Sequence, residues 1–206
     1  MSQITVTLPD NSTRSYDGGV TPQEIAESIG SRLAQDAIAA QVNGQSVDLN
    51  APIEADAEVA ILTGDSPVGH EVLLHSTAHL MAHAVKELFP EAKVTIGPAI
   101  ENRFYYDFDI DGTFSDEDLV KIEKKMGELA ANDHVVTRMV LTHGEAVKLF
   151  NKMNESYKVE IIEDIEGDDK ISAYTQGDFT DLCRGPHVLQ TGKIKYFKLL
   201  DRKSVV

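Results

Sequence analysis

At three points in 206 residues a hydroxyl side chain stands at the head of a helical pattern with an acid three positions later: Thr21 with Glu24, Ser115 with Asp118 and Thr142 with Glu145. Each pattern is a reciprocal helix cap, in which the two side chains satisfy backbone N–H groups that a first helical turn leaves orphaned. It therefore fixes where helices can begin, and Pro22 at the first helical position strengthens the first of them. The predicted helices run to about residue 29, where Gly30 ends the first, to about 131 and to about 153. Around them lie segments of strand character. Residues 4–8 alternate, Asp10-Asn11-Ser12 reads as a hairpin turn, and a second strand follows near 13–16. AIAAQV leads into an Asn43-Gly44 turn, and EVAILT, residues 58–63, is a further short strand.

A hairpin, a helix and further strands within about 60 residues predict a small α+β sheet domain with one helix packed across it. GDSPVG, residues 64–69, reads as a linker. Beyond it a helical pattern covers about 71–89 and ends at Pro90. KVTIG and FYYDFDI read as strands with an Asp111-Gly112 turn, as do YKVEIIEDI, ISAY and IKYFKLL later on. The expected organisation is a domain over 1–63 and a larger one over 64–206, both α+β, without internal repeats.

The formal charge of −15 argues against a general nucleic-acid-binding surface, because non-specific affinity for phosphate comes mostly from lysine and arginine displacing counterions. Residues 1–63 carry only Arg14 and Arg32 against nine acids, so basic groups able to meet a phosphate lie in the second part. The start, MSQITVTLPDN, has no basic or apolar run typical of a secretory signal, and no stretch approaches the roughly 18 apolar residues that span a bilayer. The expectation is a soluble, cytoplasmic protein. With Cys183 as its only cysteine, an internal disulfide is excluded and the thiol is available for chemistry or burial.

LLHSTAHLMAHAV places His75, His79 and His83 four residues apart in an apolar helix. A four-residue step drifts about 40°, so His75 and His79 face one target and His83 sits further round, as a supporting residue. A lone pair of this kind is more often core than site. DLCRGPH changes the balance: Cys183 and His187 repeat the spacing in a loop held by Gly185 and Pro186. Two histidines from a helix with a cysteine and a histidine from a loop suit tetrahedral zinc, and equally suit an acid/base cluster. His70, His134 and His143 fall at element edges and read as solvated or capping. Tyr105 and Tyr106 alternate in a strand, so only one can face a pocket. Lys158 is expected on a strand beside apolar neighbours, where burial would shift its pKa or aim it at a substrate oxygen. Asp181 suits orienting a ring or binding an ammonium. GKIKYFKLLDRK, with five basic residues between Lys193 and Lys203, is the best candidate for an RNA backbone contact.

HSTAH at 75–79, IGPAIENRFYYDFDI at 96–110, SYKV at 156–159 and DLCRGPHV at 181–188 together resemble the N-terminal half of bacterial threonyl-tRNA synthetases. The resemblance implies a ubiquitin-like β-grasp (TGS) domain followed by an editing domain of the second-additional-domain type shared with alanyl-tRNA synthetases. The implied reaction is hydrolysis of mischarged seryl-tRNA(Thr), a proofreading deacylation. ATP-dependent attachment of threonine would need a catalytic domain, and the sequence is read as a fragment without it. By the same resemblance His75 and Lys158 position or activate water, and His79 and His187 shape the pocket and meet the terminal ribose or ester. Asp181 would take the seryl ammonium, Tyr106 the serine hydroxyl or the water, and Cys183 would line the pocket. The four His/Cys positions bind zinc in alanyl-type relatives, whereas no metal is expected here. The expected partner is tRNA(Thr) charged with serine, with no membrane. The fragment is expected to be monomeric, with the full-length enzyme a homodimer through its other domains.

Overall fold

The computed structural model describes residues 2–97, 99–100, 102–165 and 170–202, and the chain divides into two compact units. The first comprises Met1–Leu73 with Gly185–Leu189, the second Leu74–Arg184 with Gln190–Val206.

In the first unit β1 (Gln3–Thr7) and β2 (Thr13–Asp17) form the expected antiparallel hairpin, with Ile4 opposite Tyr16 and Val6 opposite Arg14. The first capping box is present, with Glu24 donating its amide to the Thr21 hydroxyl, and it starts α1 (Pro22–Ile29). A short α2 (Ser31–Asp36) that the sequence did not announce leads into β3 (Ala37–Val42). Asn43 and Gly44 both take positive φ, the conformation a two-residue hairpin demands, and open onto β4 (Gln45–Val47), also unforeseen. The last strand, β5 (Ala57–Thr63), runs parallel to β1 and antiparallel to β3, giving the sheet order β2-β1-β5-β3-β4. Ile25 of α1 packs onto Ile4, Val6, Ile53 and Val59, so one helix covers a mixed sheet as expected.

The linker reading of 64–69 is corrected. Ser66 accepts the Gly69 amide through its hydroxyl at 3.2 Å and Pro67 follows it, so α3 (Pro67–Leu88) begins inside that stretch. A capping serine before a proline was a legible start signal.

In the second unit α4 (Asp116–Ala131) and α5 (His143–Lys152) begin at the Ser115 and Thr142 boxes. An antiparallel sheet is built from β10 (Val136–Leu141), β11 (Ile171–Gln176) and β12 (Phe179–Leu182), in that order. KVTIG and FYYDFDI meet in one two-residue pairing, β6 (Lys93–Val94) with β9 (Phe108–Asp109), and between them β7 (Ala99–Ile100) pairs with β8 (Arg103–Phe104).

The strand expected over YKVEIIEDI is instead a helix, α6 (Ser156–Glu163). Its β-branched Val159, Ile161 and Ile162 favour a strand locally, but Lys158 and Ile162, four apart, are the buried pair. Ile162 joins Ala146 and Phe150 of α5 and Ile171 and Ala173 of β11 in one core, and that packing overrides propensity. IKYFKLL is likewise not a strand: a single 3₁₀ turn at Thr191–Lys193 gives way to irregular chain in which Tyr196 is 94% exposed. Among the described residues no helix is long and apolar enough to cross a membrane.

Candidate functional site

Six of the seven expected site residues lie in the second unit, on different elements: His75 and His79 on α3, Tyr106 just before β9, Lys158 on α6, Asp181 on β12 and Cys183 one residue past it. Asp181 and Phe179 occupy the buried face of β12, and Asp181 is 1% exposed. A carboxylate at such depth must be paired, because desolvation otherwise costs several kcal/mol. Lys158 Nζ stands 2.7 Å from Oδ1, His79 Nδ1 stands 3.0 Å from Oδ2, and the Tyr106 hydroxyl donates to Oδ2.

Lys158, 3% exposed, donates further to the Thr95 carbonyl at 2.6 Å and to the Tyr106 hydroxyl at 3.0 Å. An ammonium has three hydrogens, so these three partners saturate it. Tyr106 is thus held between a cation it accepts from and a carboxylate it donates to. Of the adjacent tyrosines, Tyr106 is buried and Tyr105 is 37% exposed, the separation that their alternation predicts.

Burial by itself would lower the pKa of His79, but the Asp181 carboxylate reverses that and lifts it to about 9, so the ring is an imidazolium at neutral pH. Burial would raise the pKa of Asp181, and the His79 and Lys158 charges outweigh it and hold the carboxyl well below the usual range. The Tyr106 hydroxyl is pushed well above 10.0 by burial and then by the same carboxylate. Against an unfolded value of 6.5, the His79 contribution is complete below pH 6.5 and is lost as pH rises through about 9. Against 3.8, that of Asp181 is complete above pH 3.8 and is lost on acidification. Thermal melts should therefore plateau from about pH 4 to 6.5 and decline towards pH 9 by on the order of 3 kcal/mol of stability. His79→Gln should remove that upper decline; a decline of equal size in the variant would contradict the assignment.

His75 Nε2 lies 3.0 Å from Cys183 Sγ, and the His75 and His79 rings meet edge to face at 4.8 Å. One ligand-type atom each from His75, His79 and Cys183 lies within 4.8 Å of the others. His79, with a carboxylate behind its Nδ1, has the backing that serves a metal-bound imidazole as well as an acid–base one. The donor set fits zinc in type. The His75 to Cys183 spacing is that of a hydrogen bond, whereas two ligands of one tetrahedral zinc stand about 3.5 Å apart.

His187 belongs to the first unit, where it is buried and its amide donates to Asp48 Oδ1 at 2.8 Å. His83 is buried, stacks on Phe179 at 5.4 Å and lies 3.3 Å from Glu87, and burial lowers its pKa. The ring of His143, first residue of α5, reaches the Ile162 carbonyl at 3.1 Å. The His134 amide donates to the Thr191 hydroxyl at 2.9 Å, and His70 is half-buried. In the basic segment, Lys198 pairs with Glu123 at 2.7 Å and Arg202 pairs with Asp116, so α4 already neutralises two of the five charges proposed for RNA. Lys203 lies outside the described residues.

Gly97 was not anticipated. A Cβ there would sit 2.1 Å from Tyr106 Cδ2, so only glycine lets the backbone cover that ring. Gly97→Ala should cost about 1–3 kcal/mol and displace Tyr106 from Asp181, which a crystal structure of the variant would show. An unmoved ring would refute the close-packing account.

Comparison with known proteins adds the kinship. The TGS domain family matches residues 4–63, and the threonyl and alanyl tRNA synthetase second additional domain matches residues 171–205. The threonine–tRNA ligase of Janthinobacterium sp. (strain Marseille) is 56% identical over 197 residues, covering 96% of this chain and 31% of that protein. Those of Citrifermentans bemidjiense and Marinobacter nauticus are each 56% identical, over 97% and 94% of this chain and 31% and 30% of their own lengths. The chain thus spans about a third of the length of the curated relatives it matches. The resemblance read from its motifs holds, and so does the fold it implied: this chain joins a TGS domain to a threonyl/alanyl second additional domain and is related over nearly all its length to threonine–tRNA ligases.

Proposed function

We propose that the second unit is an aminoacyl-tRNA deacylase that hydrolyses the ester of seryl-tRNA(Thr), proofreading rather than making the threonyl product. The observation that carries this is the buried network of Asp181 with His79, Lys158 and Tyr106 beside the His75–Cys183 pair, in a chain related to threonine–tRNA ligases. Such an activity is needed on energetic grounds. Serine lacks one methyl of threonine, worth about 1–3 kcal/mol in a pocket, too little for a single synthetic site to exclude it. A second site must reject what the first cannot.

The network divides the labour. A His79 imidazolium is a donor for the developing oxyanion rather than a base. Lys158, with its hydrogens committed to Asp181, Thr95 and Tyr106, adds charge and holds Tyr106 in place more than it touches water. His75 is then the group to take the proton of the attacking water, with Cys183 lining the site. The Tyr106 oxygen keeps acceptor capacity for the seryl ammonium or hydroxyl, while Asp181 supplies the negative charge behind it. His187, four residues after Cys183 in the sequence, is assigned to the ester or ribose by its place in the motif. The partner is tRNA(Thr), and the reaction belongs in the cytoplasm.

Incubating the purified chain with both charged forms tests this. Serine should be released roughly 10- to 200-fold faster than threonine. Release should survive chelation and dialysis; loss that zinc restores would replace the metal-free mechanism with a metal-assisted one. Binding of charged tRNA without hydrolysis above the solvent rate would make the unit a passive tRNA-binding module instead.

A further inference from the structure

Lys158 works only if it is held at one depth, and its three ammonium bonds place the head group but none of them anchors the start of α6. Glu155, three residues earlier, does. It is the N-cap position of α6, its carbonyl accepts the amides of Lys158 and Val159 at 3.1 and 3.2 Å, and it is 3% exposed. Its carboxylate does not cap the helix. Oε2 accepts the Val94 amide of β6 at 3.1 Å, and Oε1 meets Lys86 Nζ of α3 at 2.7 Å. Lys86 Nζ also donates to the carbonyls of Pro90 at 3.0 Å and Ala92 at 2.8 Å, so two of its hydrogens are committed to the chain reversal after α3 and the third to Glu155.

These bonds make a two-point clamp. Glu155 grips the amide of Val94 while Lys158, one turn on, grips the carbonyl of the next residue, Thr95. The gripped strand sets Tyr106, because Val94 pairs with Phe108 and Thr95 and Ile96 exchange backbone bonds with Asp107. Lys86 lies seven residues after His79, two helical turns along the same face. One buried carboxylate therefore ties together the helix that carries the histidines, the strand register that places Tyr106 and the helix that carries Lys158.

We infer that Glu155, anchored by Lys86, is a positioning residue that sets the Lys158 ammonium against Asp181 and Tyr106. Only its kinetic consequence rests on the deacylase reading. In protein labelled with ¹⁵N-lysine, the Lys158 ammonium, identified by its loss in Lys158→Arg, should exchange slowly with water. In Glu155→Gln it should exchange about tenfold faster or more, as local protection is lost. Deacylation should lose about tenfold in kcat with KM within about twofold, and adding Glu155→Gln to Lys158→Gln should cost less than about twofold further. Should Glu155→Gln fail to fold, Lys86→Met/Glu155→Gln, which leaves no unpaired buried charge, carries the same measurements. Unchanged Lys158 exchange in a folded variant, or equal fractional losses in both backgrounds, overturns the inference. Altered exchange in a chain whose wild type does not deacylate would leave Glu155 as the positioning residue and remove the deacylase reading alone.

Discussion

Asp181→Asn is expected to destabilise the second unit by about 3–5 kcal/mol and to abolish measurable deacylation, the largest single-residue effect in the chain. The substitution is nearly isosteric, so its cost is electrostatic. It leaves the Lys158 ammonium, 3% exposed, without a counter-charge and facing only neutral acceptors, and it removes the charge that outweighs desolvation at His79. His79 then reverts to a neutral ring and loses its role as oxyanion donor. Denaturant unfolding at pH 6 would measure the first effect and single-turnover hydrolysis the second. Asp181→Asn combined with Lys158→Met separates them: with both charges gone, much of the stability should return while hydrolysis does not. A single variant as stable as wild type would mean that the ion pairs of Asp181 contribute nothing net.

His75→Ala should have the opposite profile. Loss of the group that accepts the water proton is worth about 10²–10⁴-fold in kcat. His75 is half-buried on α3 and stands outside the Asp181 network, so its removal should move the melting temperature far less than Asp181→Asn does. Comparison with His79→Gln assigns the roles, because a lost base removes the acid limb of the pH–rate profile whereas a lost cationic donor lowers the rate and leaves that limb in place. Near-normal hydrolysis by His75→Ala would move the base elsewhere, with Cys183 the first alternative.

The helix starts were legible because capping is local chemistry: a hydroxyl, an acid and three bonds between them suffice, and all three boxes formed. The first hairpin was legible for the same reason, through its Asp-Asn-Ser turn, and so was the Asn43-Gly44 turn, though not the strand β4 that follows it. The α6 segment was not. Its β-branched residues satisfy a strand pattern as well as a helical one, and only the cores of α5 and β11 decide between them. β10 went unseen because it is defined by what it pairs with, and β12 because the Gly177-Asp178 turn that joins it to β11 was not read as a hairpin.

The site divides along the same line. By itself the sequence determined which side chains could do the chemistry, since spacing of four on a helix places His75 and His79 on one face and alternation separates Tyr105 from Tyr106. Tertiary structure alone decided what those side chains are. Asp181, read as orienting a ring or binding a substrate ammonium, is the buried counter-ion of Lys158 and His79, and that contact raises the pKa of the His79 ring. Protonation states depend on distances of about 3 Å between residues far apart in sequence, and no spacing along a chain encodes them.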